Sequence, residues 1–407
     1  MMKKVVVTGM AGLSSLGDNW QDIRANMAAG RSGIVRMDDW DRFEGMNTRL
    51  AGPVDFSRPK HYSRKQVRSH GRVSLMATRA TELALEQAGL LGESVLTDGS
   101  TGIAYGSSIG STAPISAFAN MLDNNDPSRI TATSYIQMMG HTTAVNVGLF
   151  FGLKGRVIPT SSACTSGSQA IGYAYEAIKY GRQTLMVAGG AEELCPTEAA
   201  VFDTLYATST KNNTPTLTPS PFDAGRDGLV IGEGAGTLVL EERDHAIARG
   251  APILAEILGF GTNSDGQHVT SPTSETMEVA MALALEDAGL APDAIGYVSA
   301  HGTATEQGDI AETQATHRLF GSRMPISSLK GYFGHTLGAC GALEAWLGIA
   351  MMHDNWFAPT LNLSQVDQRC GELDYIQGQG RELDTGIIMS NNFAFGGINT
   401  SLILARA

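Results

Sequence analysis

Cys164 lies in Pro159-Thr-Ser-Ser-Ala-Cys164-Thr-Ser-Gly-Ser168, a stretch made almost only of small residues. A short extended run, Arg156-Val-Ile, precedes it. Ile171, Tyr175 and Ile178 follow at steps of three and four, which predicts a helix from about Ser166 to Tyr180. The cysteine is therefore expected in a strand-to-helix turn, at or just inside the helix start. Unpaired N–H groups and the positive dipole end of a helix favour an anion, so the sulfur is expected to lean toward a nucleophilic thiolate. Its small neighbours leave room for a long substrate. The competing reading is a small buried hydrophobe, the commoner fate of a free cysteine.

Two histidines have similar surroundings, in Ala300-His301-Gly-Thr303-Ala-Thr305 and in Lys330-Gly-Tyr-Phe-Gly-His335-Thr-Leu-Gly-Ala339. Both are read at strand-to-turn boundaries, with glycine or small side chains on either side. Singly, each also fits an ordinary structural histidine. A zinc site would draw on the same residue types, but the chain lacks a helical i, i+4 histidine pair and paired cysteines. A Cys-His hydrolase would use the cysteine and one histidine and leave the second histidine and Lys330 without a role.

The elements that must position these residues alternate between strand and helix. Val5-Val-Val-Thr-Gly9 reads as a buried strand, and Asp18 as the cap of a short helix through about Met27. Residues 31–70 read as irregular and carry the basic run from Lys60 to His70. Residues 72–90 read as helix, Thr101–Gly106 as strand, and residues 111–155 as polar turns with apolar pieces. Thr184–Gly190, Thr237–Leu240 and Ile253–Gly261 follow as strands. Leu83-Ala-Leu-Glu-Gln-Ala-Gly-Leu90 then returns as Leu283-Ala-Leu-Glu-Asp-Ala-Gly-Leu290, each copy followed by a strand ending in glycine. Ser327–Met352 resembles the Cys164 region in its order of elements, and 386–404 resembles 229–240. Duplication follows: an N-terminal half, 1–250, bearing the cysteine, and a C-terminal half, 251–407, bearing both histidines. A pseudo-twofold axis would set the Cys164 turn against its counterpart.

Composition narrows the classes further. The chain has 407 residues, a formal net charge of −12 and 17% charged residues, which fits a soluble globular protein and argues against a general nucleic-acid binder. Its four cysteines form no C-x-x-C pair, which suits a reducing cytoplasm. No window is long and apolar enough for a membrane span, and the N-terminus does not read as a signal peptide.

Taken together, the motifs resemble the β-ketoacyl-acyl-carrier-protein synthases, decarboxylating condensing enzymes of the thiolase superfamily. They are Ser162-Ala-Cys164-Thr-Ser-Gly, Pro221-Phe-Asp-Ala-Gly-Arg-Asp227-Gly, Gly232-Glu-Gly-Ala-Gly236, Ala300-His301-Gly-Thr-Ala-Thr305, Lys330-x4-His335 and Asn391-Asn-Phe-Ala-Phe395-Gly-Gly397. The resemblance covers essentially the whole chain. It implies a duplicated, five-layered α/β/α/β/α thiolase-like fold and a Cys-His-His triad of Cys164, His301 and His335. Lys330 and Glu344 match the family's supporting pair. The N–H groups of Cys164 and Phe395 match its oxyanion hole, with Phe395 as a gate. Thr303 and Thr305 match positions that hold pantetheine, and Ile109 a position lining the acyl pocket. Arg64, Lys65, Arg68 and Lys211 match the surface that meets an acidic acyl carrier protein.

The expected reaction condenses malonyl-carrier protein with an acyl chain on Cys164, adding two carbons with loss of CO2. It needs no metal or cofactor beyond the carrier's phosphopantetheine. The expected assembly is a homodimer, or a heterodimer with a homologous ketosynthase or chain-length factor. A non-catalytic chain-length-factor-like role and a thiolase are the alternatives. Gly-Tyr-Phe-Gly before His335 and Ala394 before Phe395 depart from the common pattern of fatty-acid enzymes, which leaves the pathway open between fatty-acid elongation and a specialised polyene or polyketide-type chain.

Overall fold

The computed structural model describes residues 2–407. Eleven strands form one sheet: β1 (Val5–Leu13), β2 (Thr101–Gly106), β3 (Val157–Thr160), β4 (Leu185–Glu192), β5 (Gly234–Glu242), β6 (Ala255–Ser264), β7 (Tyr297–Ser299), β8 (Pro325–Ser327), β9 (Asp374–Tyr375), β10 (Ile387–Ala394) and β11 (Ile398–Arg406). Their spatial order is β9-β8-β7-β10-β11-β6-β1-β5-β4-β2-β3. Outward from the central β6–β1 pair, the two sides match strand for strand: β1, β5, β4, β2, β3 on one and β6, β11, β10, β7, β8 on the other. The directions match too. β2 runs parallel to β3 and β4, as β7 does to β8 and β10, while β5 and β11 are antiparallel to their neighbours. Each half alone would be an ordinary sheet of mixed direction. The antiparallel pairing of Val5–Val7 with Ala255–Ile257 joins them.

Eight helices cover the sheet where it matters for the site: α1 (Trp20–Ala28), α2 (Arg72–Gln87), α3 (Ile115–Asn124), α4 (Thr142–Phe151), α5 (Ser166–Lys179), α6 (Ser274–Ala288), α7 (Glu306–Phe320) and α8 (Cys340–His353). The repeated octapeptide closes both α2 and α6. Gly89 at φ +66 and Gly289 at φ +65 adopt the left-handed conformation that glycine tolerates best. In each copy the glycine N–H reaches a glutamate carbonyl (Glu86, Glu286), and the next leucine N–H reaches Leu85 or Leu285. Close helix-to-strand packing repeats as well: a Cβ on Gly9 would meet Ala84 O at 2.1 Å, and one on Gly259 would meet Ala284 O at 2.3 Å.

α5 and α8 form the layer between the two halves. Cys340 to Met352 is buried throughout α8, as a helix enclosed on both sides must be. Glycines let the two helices meet: a Cβ on Gly167 would lie 2.9 Å from Gly338 O, and one on Gly341 would lie 2.7 Å from Ser168 N. The expected layered α/β/α/β/α architecture is present, with a duplicated plan.

Local readings shift in places. The cap of α1 is Asn19, whose Oδ1 accepts from Asp22 N at 3.0 Å, not Asp18. Residues 111–155 hold two ten-residue helices, α3 and α4, closed by left-handed Asn125 and Gly152. Their pattern was obscured because several apolar residues face outward, Leu122 and Leu149 among them. No helix among the described residues is long and apolar enough to cross a membrane.

Candidate active site

Cys164 sits in a 3-10 turn, Ala163–Thr165, between β3 and α5. Ala163 takes φ +50, a strained value for a residue with a Cβ. Hydroxyls hold the turn: Ser162 N donates to Ser166 Oγ, Ser166 Oγ donates to Ala163 O, and Thr165 Oγ1 donates to Ser162 O. The matching turn in the second half, Leu337–Ala339, has φ +44 at Leu337, so Gly338 is the counterpart of Cys164. The two turns lie against each other, as duplication predicts: Cys340 Sγ, just past the second turn, donates to Cys164 O at 3.2 Å, and a Cβ on Gly167, just past the first, would sit 2.9 Å from Gly338 O.

His301 follows β7 in a turn clamped from α7. Glu312 accepts from His301 N and Gly302 N, both at 2.7 Å, and Asp309 accepts from Ala304 N at 3.1 Å. His335 is placed differently from expectation. It follows a one-turn helix, Lys330–Phe333, rather than a strand. Its backbone pairs with the first half instead, donating to Val230 O at 2.7 Å and accepting from Gly232 N at 2.8 Å. The Gly232–Gly236 motif of the first half thus bears on the second histidine.

The three side chains converge. Cys164 Sγ and one ring nitrogen of each histidine lie within 4.8 Å of one another. His335 Nε2 is 2.9 Å from Sγ, and the two imidazoles are perpendicular, 5.1 Å apart. Behind His301, Lys330 Nζ lies 3.3 Å from Nδ1 and donates to His301 O and Glu344 Oε1, both at 2.6 Å. Asn392 Nδ2 donates to Glu344 Oε2 at 2.7 Å and lies 3.4 Å from His301 Nδ1. Two donors at Nδ1 make it an acceptor, so the His301 proton is on Nε2. His335 Nδ1 has no partner among the described residues.

Charge in this buried cluster follows from desolvation and one ion pair. Burial, reinforced by Lys330, holds both imidazoles well below the ordinary histidine range, so they are neutral at pH 7. For Lys330, burial is the largest effect and opposes the charge, but Glu344, Cys340 and Glu312 together raise its pKa. The 2.6 Å contact and the Asn392 donor support an ammonium–carboxylate pair, although burial raises Glu344 itself.

The thiolate expectation is corrected. Burial pushes the Cys164 thiol up to about 12, against the pull of Lys330 and of the Phe395 and Cys164 N–H groups. Desolvation at a nearly closed site exceeds the stabilisation available at the start of the helix. The resting pair is therefore thiol and imidazole. Those two N–H groups nevertheless point at the sulfur. The same three ligand atoms could in principle grip a metal, but the Lys330 ammonium against His301 opposes a cation there.

A cavity of about 420 Å³ opens onto Cys164, His301 and His335 and is lined by Thr303, Thr305 and Phe395 among others. Thr303 and Thr305 hydroxyls pair at 2.9 Å, and the Phe395 ring packs on Phe202 at 5.1 Å.

The description "Beta-ketoacyl synthase, N-terminal domain" matches residues 2–246, and "Beta-ketoacyl synthase, C-terminal domain" matches residues 254–364. The chain belongs to the β-ketoacyl synthase family. It is 36% identical to the 3-oxoacyl-[acyl-carrier-protein] synthase 2 of Vibrio harveyi, over 99% of each chain. A crystal structure of a β-ketoacyl synthase from Burkholderia phymatum superposes with a TM-score of 0.99 at 63% identity, covering all of both chains. The ishigamide ketosynthase/chain length factor superposes with a TM-score of 0.91 at 30% identity, again over both full chains.

Not every expected synthase residue joins this cluster. Ile109 is partly exposed and lies outside the cavity lining. Arg64, Lys65 and Arg68 are exposed, on a turn anchored by buried Tyr62 and Val67, and none lines the cavity. Lys211 is half-buried and already engaged, 3.0 Å from Gly225 O and 3.5 Å from Asp227. Asn392, Glu312 and Asp309 were missed. Asn392 stood inside the Asn-Asn-Phe motif, but only the fold shows that its amide reaches Glu344.

Proposed function

We propose that this synthase condenses malonyl-acyl carrier protein with an acyl chain held on Cys164, and that Cys164, His301 and His335 do the chemistry. One observation carries the reading. A nucleophilic sulfur and two neutral imidazole nitrogens meet within 4.8 Å at the floor of a cavity.

In the first half-reaction Cys164 Sγ adds to the carbonyl of the acyl thioester. Its proton passes through His335 Nε2, 2.9 Å away, to the departing pantetheine sulfur. The N–H groups of Cys164 and Phe395 receive the oxyanion. In the second, the His335 proton moves from Nδ1, which no group among the described residues holds, to Nε2, and malonyl thioester binds with its carbonyl between the Nε2–H groups of His301 and His335. The carboxylate leaves as CO2, and its bonding electrons form an enolate that those donors stabilise. The enolate carbon bonds to the acyl carbon, the carbon–Sγ bond breaks, and the sulfur takes up a proton from water, replacing the one that left with the pantetheine thiol. Neutral imidazoles suit this role because each presents a proton without carrying charge. Lys330, Glu344 and Asn392 position His301 by keeping its proton on Nε2. Thr303 and Thr305 hold the pantetheine amides, and Phe395 gates the cysteine.

The exposed basic turn of Arg64, Lys65 and Arg68, with Lys211 nearer the cavity, supports an acidic carrier protein as partner. A second subunit, identical or homologous, is proposed against the free edge of β3. Leu122, Tyr135, Leu149 and Val157 are exposed apolar residues of that region, a cost that a partner subunit would remove. The intact catalytic cluster disfavours a purely supporting, chain-length-factor-like role. Intact-mass analysis after incubation with a panel of acyl-carrier proteins tests the proposal. A single acyl adduct on the wild type, absent from Cys164→Ala, is expected. An unchanged adduct in Cys164→Ala defeats the assignment.

A further inference from the structure

Tyr206 is an aromatic residue in a place that costs free energy and returns nothing within the described fold. Its φ is +53, a left-handed value that a bulky side chain adopts rarely. Its side chain is nevertheless 88% exposed. The turn is held rigidly from beneath. Asp203 accepts from Asn47 N at 2.8 Å, Thr48 N at 3.1 Å and Thr208 Oγ1 at 2.8 Å, while Tyr206 N and Ala207 N bond back to Asp203 O and Phe202 O. A strained, fixed and outward-pointing tyrosine is placed for something outside the chain.

Its position says what. Leu205, Tyr206 and Val269 all line the cavity that leads to Cys164. Leu205 and Val269 are 46% and 67% exposed, and Val201, one turn earlier on the helix Pro196–Asp203, is 58% exposed. The opening thus has an exposed apolar rim. Val269 is tied to the gate, because its carbonyl accepts from Gly396 N at 2.8 Å. The cations near the opening are already occupied. Lys211 is paired with Asp227, and Arg226 is nearly buried against Asp367 and Asp309.

We infer that the rim of Leu205, Tyr206 and Val269 is an apolar docking surface for the body of the carrier protein, with Tyr206 as its anchor. This rests on the condensation reading above. A thioester on a tethered arm can reach Cys164 only with its carrier seated against this opening, so the rim is continuous with the path the substrate must take. The contact is apolar, so it is insensitive to salt, unlike attraction to the Arg64–Arg68 turn.

The test measures binding apart from turnover. The Kd of an acyl carrier protein lacking its pantetheine arm is determined by calorimetry at low salt and at high salt, for wild type, Tyr206→Gly and Tyr206→Phe. Glycine suits the positive φ, so that variant keeps the turn. Tyr206→Gly is expected to weaken binding about tenfold at both salt concentrations, as loss of an aromatic anchor does, with Tyr206→Phe close to wild type. The ratio of KM for malonyl-carrier protein to KM for a carrier-free malonyl-pantetheine thioester should rise by a similar factor. An unchanged Kd in Tyr206→Gly overturns the proposal, as does a loss that appears at low salt only, or a change in oligomeric state with no change in carrier binding. If the wild type binds carrier with this dependence on Tyr206 but forms no carbon–carbon bond, the condensation reading fails and the docking surface stands.

Discussion

The reactivity of Cys164 toward an alkylating agent should rise with pH and show no plateau through the neutral range. The residue is 4% exposed, and its thiol is pushed up to about 12 by burial, with Lys330 and two N–H groups pulling the other way. At pH 8 that is four units below the pKa, so about one molecule in ten thousand carries a thiolate. A cysteine poised as an anion, with a pKa near 7, would be about nine-tenths ionised at the same pH. The two cases diverge in a profile of iodoacetamide rate against pH, followed by intact mass from pH 6.5 to 9.5. The expected plot of log rate has a slope of one throughout, a rise of about a thousandfold. A plateau below pH 8 would refute the balance argued here and would mean that proton transfer to His335 already occurs at rest. The same measurement on His335→Phe separates the causes. If the imidazole only accepts a proton during attack, the alkylation profile keeps its slope while acyl transfer from a thioester falls.

Other outcomes follow from neighbouring groups. Lys330→Met strands Glu344 in the core and should cost about 3–5 kcal/mol in denaturant unfolding. Because it also frees the His301 proton, its decarboxylation rate should fall by more than its affinity for malonyl substrate does. Asp309 and Glu312, raised by burial to about 6 and about 8, hold protons in the fold that the unfolded chain releases. Stability should therefore decline as pH rises from about 5 to 8, and Glu312→Gln should flatten that slope in urea titrations across this window. Gly190→Ala places a Cβ 2.2 Å from Gly338 O and should abolish soluble expression, whereas Gly386→Ala meets nothing within 4 Å and should behave as wild type. Charge reversal at Arg64, Lys65 and Arg68 should raise KM for carrier-bound substrate at low salt, with the effect fading at high salt; an unchanged KM places the charged contact elsewhere.

The duplication was legible because it lies in local chemistry. The octapeptide at Leu83 and Leu283 encodes a helix end, and both copies fold into the same glycine cap. Cys164, His301 and His335 were legible because small residues crowd around them, which reflects the close approach of backbone that the fold then shows. What the sequence could not display is how burial weighs against a dipole. The turn suggested a thiolate, but the desolvation that reverses it comes from elements far away in the chain. The support of His335 was hidden for a similar reason. Its backbone partners, Val230 and Gly232, lie about a hundred residues earlier. Asn392 illustrates the limit of motif reading, since its neighbour Asn391 has the same side chain and directs it to Met281 instead.

Gly338, in the turn that mirrors Cys164, has a consequence for how products grow. A Cβ there would come within 2.7 Å of Glu192 Oε2 and 2.8 Å of Ser108 N, so no thiol can be installed at the mirrored position without dismantling the contact between the halves. On the proposed mechanism the growing chain is therefore held at Cys164 and has no counterpart site at its mirror. On the same mechanism the lengthened product would leave on its carrier, and a further round would begin with that carrier handing the chain back to Cys164.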